Sequence, residues 1–495
     1  MKTNTLDFDA QALRDKILDL AMRGKLVPQD PNDEPASVLL EKIKAEKAEL
    51  VKEKKIKKSK PLPEITDDEK PFDIPDSWEW VRLGEVGNYI QRGRSPKYDK
   101  KNKSHPIISQ KCVQWENIYL KDAKYITKTF FDKLEDYRFV QENDVLWNST
   151  GTGTVGRLNI VKQNLDHIPV DSHVTLIRMN KQVNPDYIYY YLRSPEIQDN
   201  LNDYLTGTTK QKELGLTNIL KVKIPLPPLS EQSRIAAKIA QLFALLRKVE
   251  SSTQQYAELQ TLLKSKVLDL AMRGKLVKQD PNDEPASVLL EKIKAEKAEL
   301  VKEKKIKKSK PLPPITDEEK PFDIPDNWEW VRVGAIFDIT SSKRVMKSEW
   351  RNEGVPFYRA REIVSIKNHR ALKDPIFISE ETYKEKAEVS GRPKIDDILL
   401  TGVGTLGVPY VVSDNKEFYF KDGNIIWLRN IGKINSYYIS NYIQIPYMTK
   451  IINNGRGTTV ATLTIVRARN LLVPLPPLME QTRIVNKINK LYKLI

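Results

Sequence analysis

A chain of 495 residues with 40% apolar residues and a mean hydropathy of −0.51 is too long for one ordinary core, so two or more domains are expected. No run approaches the ~18–20 apolar residues of a membrane span, the first nine residues lack an apolar signal region, and a cytoplasmic location is expected. The single cysteine, Cys112, excludes an internal disulfide and a Cys-cluster zinc site, the four histidines show no metal-ligand spacing, and the net charge of +16 points to a polyanionic partner, nucleic acid first.

The chain starts with a helical stripe at Leu13, Ile17, Leu18, Leu20 and Ala21, which Gly24 and Pro31 end. A second helix is predicted from about Ala36 to Lys55, carrying a lysine run that stops at Pro61. Residues 41–60 hold nine lysines and four glutamates, and the same stretch recurs at 291–310, so the two copies supply +10 of the +16. Such a run reads as a solvated helical arm. Pro71-Phe-Asp-Ile-Pro75 and Trp78-Glu-Trp80 then read as a docking strand whose tryptophans anchor a core.

Further along, Asn184 caps a helix that starts at Pro185 and carries Tyr187, Ile188, Tyr191 and Leu192. From Ser230 to about Met272, Ile235, Ile239, Leu242, Leu246, Val249, Tyr256, Leu259, Leu263, Val267 and Leu270 mark one uninterrupted helical stripe. At 1.5 Å per residue such a helix spans about 65 Å, suited to a spacer.

Most of this frame occurs twice. Residues 16–84 return at 266–334 with six differences, and Ile224-Pro-Leu-Pro-Pro-Leu-Ser-Glu-Gln-Ser-Arg-Ile235 returns as Val473-Pro-Leu-Pro-Pro-Leu-Met-Glu-Gln-Thr-Arg-Ile484. The segments between, about 85–223 and 335–472, share only landmarks: Asp144-Val-Leu with Gly151-Thr-Gly-Thr-Val-Gly156 against Asp397-Ile-Leu with Gly402-Val-Gly-Thr-Leu-Gly407, and Gly207-Thr-Thr209 against Gly457-Thr-Thr459. Equal frames with unequal fillings imply one fold used twice for two different surfaces. The C-terminal piece ending at Ile495 and the N-terminal piece together rebuild the stripe, which predicts two antiparallel rods and approximate two-fold symmetry.

The doubled order of these motifs resembles the specificity subunits of type I restriction-modification systems. The resemblance rests on Ile-Pro-Asp-x-Trp-Glu-Trp-Val-Arg at 74–82 and 324–332, the Asp-Val/Ile-Leu and Gly-Thr landmarks, and the Pro-Leu-Pro-Pro motif at 225–235 and 474–484. It implies an α+β chain of two mixed α/β target-recognition domains related by pseudo-two-fold symmetry and separated by two long antiparallel, coiled-coil-like helices. The expected boundaries are 1–30 and 479–495 for the terminal rod pieces, 31–78 and 279–328 for the lysine-rich inserts, 79–229 and 329–478 for the recognition domains, and 230–278 for the central rod. It also implies double-stranded DNA, two methyltransferase subunits and nuclease/translocase subunits as partners. S-adenosylmethionine, ATP and magnesium are then expected in those partners, with no cofactor, metal or catalytic residue in this chain. The alternatives are a self-contained DNA methyltransferase or nuclease and a methylation-only complex.

With DNA as ligand the loops acquire roles. Gly151, Gly153, Gly402 and Gly404 allow close backbone approach to phosphate, and Thr150, Thr152, Thr154, Thr401 and Thr405 supply short donors. The second loop adds Thr208, Thr209, Lys210 and Gln211, matched by Arg456, Thr458 and Thr459. Base-reading candidates are Arg92, Arg94, Lys97, Gln110 and Lys111 in the first segment and Lys343, Arg344, Arg359 and Arg361 in the second, since arginine forks onto guanine and glutamine onto adenine. The glycine motif lacks the Lys-Ser/Thr of a nucleotide-binding loop, and Asn184-Pro-Asp-Tyr187 departs from a methyltransferase Asn-Pro-Pro-Tyr at Asp186.

Overall fold

The computed structural model describes residues 8–58, 60–163, 165, 167–207, 212–454 and 462–495. They form two compact units, Met1–Thr253 and Gln254–Ile495. The repeat dictates this division, because each copy of the frame has its own apolar faces to bury and its own core in which to bury them.

In the first unit, helix Ala10–Met22 is capped by Asp9, whose carboxylate accepts from the Ala12 N–H at 2.9 Å. It ends at Gly24, where φ is 66° and an added Cβ would lie 2.4 Å from the Pro75 ring. Leu18, Ala21 and Met22 pack with Ile235, Ile239 and Phe243 of the uninterrupted helix Leu229–Met272, whereas Leu13 is exposed. The second unit repeats the arrangement with Leu268, Ala271 and Met272 against Ile484, Val485 and Ile488 of helix Leu478–Tyr492. Each unit thus joins the tail of one rod to the head of another. Between these packed ends, Leu245, Val249, Tyr256, Leu259, Leu262 and Leu263 remain exposed, so the apolar stripe of the long helix is buried only at its two ends.

The lysine-rich helices run Ala36–Lys52 and Ala286–Lys302, shorter than the sequence suggests because Lys54 and Lys304 turn left-handed at φ 58° and their backbone N–H groups fold back on Val51 and Val301. They are not free solvated arms. Ala36, Leu39 and Ile43 are buried, and the Lys47 ammonium donates to the Gly84, Glu85 and Gly87 carbonyls at 2.8, 3.0 and 2.8 Å. Lys297 does the same on Gly334, Ala335 and Phe337, and burial lowers the pKa of both lysines. A periodicity argument misses this, because the anchoring side chain is itself a lysine.

The strand expected at Pro71–Trp80 begins instead at Glu79. Glu79–Arg82 pairs antiparallel with Lys223–Leu226, and Glu329–Arg332 with Leu472–Leu475, so the two repeated motifs bracketing each variable segment zip together and close it. Arg82 locks this ribbon through Pro63, Glu64 and Lys221 carbonyls and Glu69, as Arg332 does through Pro313, Pro314, Asn470 and Glu319. Trp78 and Trp328 are core anchors as expected, 3% exposed, while Trp80 and Trp330 are half-buried against Phe72 and Phe322.

Inside the bracket lies an antiparallel four-stranded sheet of the same order in each unit. It runs Gly87–Arg92, Val174–Met179, Val145–Asn148, Leu158–Ile160 in the first, and Phe337–Thr340, Ile425–Asn430, Ile398–Thr401, Pro409–Val411 in the second. The difference sits mainly between the first and second of these strands in chain order. There the first unit has the short pair Pro106–Ile107 and Lys124–Tyr125, whereas the second places most of a further four-stranded sheet there, with helices Ala360–Lys367 and Glu380–Ser390.

Candidate nucleic-acid interface

The glycine landmark is a turn between the sheet strands Val145–Asn148 and Leu158–Ile160, and between Ile398–Thr401 and Pro409–Val411. Its glycines divide into two kinds. Gly151, Gly156, Gly402 and Gly407 are packed: a Cβ there would stand 2.2 Å from Thr154 Oγ1, 2.2 Å from Leu201 Cδ2, 2.9 Å from the Leu463 carbonyl oxygen and 2.9 Å from Ile452 Cδ1, so Gly151 and Gly402, expected to approach phosphate, are instead turned into the fold by these neighbours. Gly153 and Gly404, at φ 72° and 70°, form the exposed tip and have nothing within 4 Å of an added Cβ. The tip can therefore bring its backbone against a ligand as the sequence suggests.

The threonines divide similarly. Thr152 and Thr405 are exposed at the tip, whereas Thr150 meets His173 Nδ1 at 2.6 Å, Thr154 donates to the Thr150 carbonyl at 3.1 Å, and buried Thr401 donates to the Thr405 carbonyl and accepts from Val408 N. These last three hydroxyls hold the turn together.

Residues that flank the second landmark reach the first in both units. Thr206 pairs with Glu213, Thr150 bridges to Glu213, and Leu214 N donates to Ser149 O at 2.8 Å. On the other side Leu463 N donates to Gly402 O at 2.9 Å. Thr208, Thr209, Lys210, Gln211, Arg456, Thr458 and Thr459 lie outside the described residues.

Around the first turn, Gln110 comes within 3.3 Å of the Gly151 Cβ position, and Asn148 Nδ2 donates to the Gln110 carbonyl at 2.9 Å. Lys111 and Lys97 are exposed. Arg92 leaves the sheet at the same end, but its guanidinium is held by Glu213 at 3.0 Å and by the Leu214 carbonyl at 2.6 Å; Arg94 pairs with Glu135 at 2.8 Å and is 45% exposed. In the second unit Lys343 follows the strand that ends beside Ile425, and Arg344 pairs with Asp422 while remaining 73% exposed. Arg359 and Arg361 both bind Glu362, a buried carboxylate that they hold below its ordinary pKa against the cost of burial. Of the base-reading candidates in ion pairs, Arg359, 18% exposed, and Arg92, 23% exposed, are the most committed to the fold, whereas Arg361 remains 55% exposed.

Sequence reasoning passed over a second set. Tyr98 and Tyr119 are exposed, with Lys124 4.6 Å and Lys121 5.2 Å from their rings, next to exposed Lys100, Lys101 and Lys103. The signal was present in the spelling Lys97-Tyr-Asp-Lys-Lys-Asn-Lys103. His173, under the turn, has no sequence signal, since only the fold brings it to Thr150.

The shared landmark aspartates are structural, with different partners. Burial raises the pKa of both, opposed by the Arg178 fork at 2.9 and 2.7 Å for Asp144 and by backbone N–H groups and Trp427 Nε1 for Asp397. Among the described residues no group of three His, Cys, Asp or Glu could hold a metal ion.

Two domains of one frame, each exposing a glycine-turn tip beside a different variable segment, make a class of protein with two recognition domains on a repeated scaffold. A family profile described as the type I restriction modification DNA specificity domain matches residues 75–260 and 325–495. The chain belongs to the specificity subunits of type I restriction-modification systems. It is 33% identical over 98% of its length to the EcoAI specificity subunit of Escherichia coli, covering 89% of that protein, and 31% identical over the same shares to the EcoEI specificity subunit of that species. A solved chain from a type I restriction-modification complex is 21% identical, with a TM-score of 0.55 over 86% of this chain and 92% of the other, which supports the fold.

The glycine roles predict separable effects. Gly156→Ala forces a methyl into Leu201 at a positive φ and will cost about 1–3 kcal/mol of stability. Gly153→Ala will cost only about 1 kcal/mol, yet will weaken DNA binding about tenfold by filling the space at the tip. Unfolding and binding titrations of the two variants check this; equal binding by wild type and Gly153→Ala would remove the tip from the interface.

Proposed function

We propose that this chain reads a bipartite DNA target, one half with each recognition domain, and directs adenine methylation by two bound methyltransferase subunits and cleavage when nuclease/translocase subunits join. The observation that carries the reading is the exposed glycine turn at one end of the same four-stranded sheet in each unit, beside variable segments that differ. A near-identical frame holds the tips, and the variable segments supply Gln110, Lys111 and Lys97 in one domain and Lys343 and Arg344 in the other for different bases. The proposed recognition domains are 79–229 and 329–478.

Catalysis is assigned to the partners, with S-adenosylmethionine, ATP and magnesium bound there, in the cytoplasm. The exposed apolar residues of the long helix, Leu245 and Val249 in the first unit and Tyr256, Leu259, Leu262 and Leu263 in the second, are the two surfaces assigned to the methyltransferases, one in each unit, since exposed apolar patches mark partner sites. Footprinting of the chain with its methyltransferase is expected to give two unequal protected blocks around an unprotected gap; one continuous block would overturn the proposal.

A further inference from the structure

The lysine-rich inserts contribute nothing to the recognition tips. Lys47 seats on the Gly84–Gly87 carbonyls at the start of strand Gly87–Arg92, while Arg92 ties the far end to Leu214 beside the glycine turn. Six residues of strand place the two ends about 20 Å apart. The inserts are nonetheless built as charged platforms. Lys47 and the buried Ala36, Leu39 and Ile43 fix each helix from below, and Lys52, Lys54, Lys55, Lys57, Lys58 and Lys60 are all exposed. Glu49 takes Lys52 and Glu53 takes Lys55; among the described residues Lys54, Lys57, Lys58 and Lys60 have no ion-pair partner, and neither do Lys304, Lys307, Lys308 and Lys310.

The position of Lys54 is informative. A helix that ends in a left-handed residue ordinarily has Gly or Asn there, yet both copies keep a lysine at φ 58°. Neither side chain makes a hydrogen bond or ion pair among the described residues that would offset that strain, so the fold does not account for the residue, and strain retained without a structural return points to function.

We infer that the two lysine platforms, Lys52–Lys60 and Lys302–Lys310, are sequence-independent clamps on the phosphate backbone of double-stranded DNA outside the half-sites. The inference rests on the DNA-reading proposal and adds to it a second class of contact. Flexible ammonium groups projecting from a fixed base suit phosphates, which they meet as point charges without geometric demand, and gain affinity by releasing counterions. With four unpaired lysines on each platform, the pair gives the chain a large non-specific affinity that the tips do not need to supply.

The test uses the full chain with its methyltransferase and three duplexes: one with the target and long flanks, one with the target and trimmed flanks, and one without the target. Changing Lys54, Lys57, Lys58, Lys60 and their four counterparts to Gln should weaken binding to both long duplexes at least ~tenfold at low salt and flatten the slope of log K against log salt by about 0.9 for each phosphate no longer neutralised. The preference for target over non-target should stay unchanged, and the advantage of long flanks should vanish. Lys54→Gly with Lys304→Gly should raise Tm by about 2 °C while weakening binding, a combination that misfolding cannot produce. An unchanged salt slope with sequence preference intact would overturn the clamp alone. Loss of methyltransferase association with unchanged DNA binding would reassign the platforms to a protein partner and overturn it too. Absence of any sequence preference in the wild-type chain would instead strike the DNA-reading proposal.

Discussion

On the proposed reading, a chain in which residues 83–222 are replaced by a second copy of 333–471 will lose its original bipartite target and bind DNA that carries the second half-site twice. The exchange is permitted by the bracket. Arg82 and Arg332 make equivalent contacts at its mouth, and Leu83 N donates to Val222 O as Val333 N does to Leu471 O, each at 2.8 Å. Lys47 reaches only backbone carbonyls, which the incoming segment also presents. The cost falls on recognition: each mismatched base pair removes about 1–3 kcal/mol, and specific binding exceeds non-specific binding by about 10³–10⁷. Selection of bound sequences from random duplexes reads the outcome directly. Retention of the original unequal half-sites would place specificity outside the exchanged segments.

Glu231→Ala will destabilise the first unit by about 2–4 kcal/mol, and Glu480→Ala the second likewise. The reason lies in the Pro-Leu-Pro-Pro-Leu-x-Glu-Gln-x-Arg motif, in which the Glu, Gln and Arg are all structural. Glu231, 1% exposed, accepts from Trp78 Nε1 at 2.9 Å and from Gln29 Nε2 at 2.5 Å; Gln232 donates to the Pro227 carbonyl and accepts from Asn184 N; Arg234 forks onto Asp33. Glu480, Gln481 and Arg483 repeat each bond in the second unit. Alanine leaves a buried indole N–H without its acceptor, and a drop of about 5–10 °C in Tm is expected.

The pH dependence follows from burial, which raises the Glu231 and Glu480 pKa values above 4.5 against the bonds from Trp78 and Trp328. A carboxyl raised on folding stabilises most when protonated, so its contribution is full below pH 4.5 and is lost as pH rises through the folded value. Glu231→Gln with Glu480→Gln keeps an acceptor for the indoles and removes this slope. The wild-type chain should therefore gain stability relative to that variant between pH 7 and pH 5. Asp33 works in the opposite sense: Arg234 holds its pKa down, so its contribution is present at neutral pH and is lost only as pH falls through the acid range below about 4.

The duplicated spelling of 16–84 and 266–334 determined the frame, the two units and the course of the long helix, because a near-exact repeat must bury the same faces twice and apolar spacing reports a helix whatever surrounds it. The cap at Asn184 was legible for the same local reason, its side chain accepting from Asp186 N and Tyr187 N. What lay beyond the sequence was everything set by partners distant in the chain. Lys47 reads as one more solvated lysine until Gly84–Gly87 is folded against it, nothing near Arg92 in the chain announces the Glu213 carboxylate and Leu214 carbonyl that hold it, and Trp-Glu-Trp and Pro-Leu-Pro-Pro read as separate signals until they pair as strands. Local spacing records which face of an element is apolar; only tertiary structure decides which charged side chains are spent inside the fold and which remain for DNA.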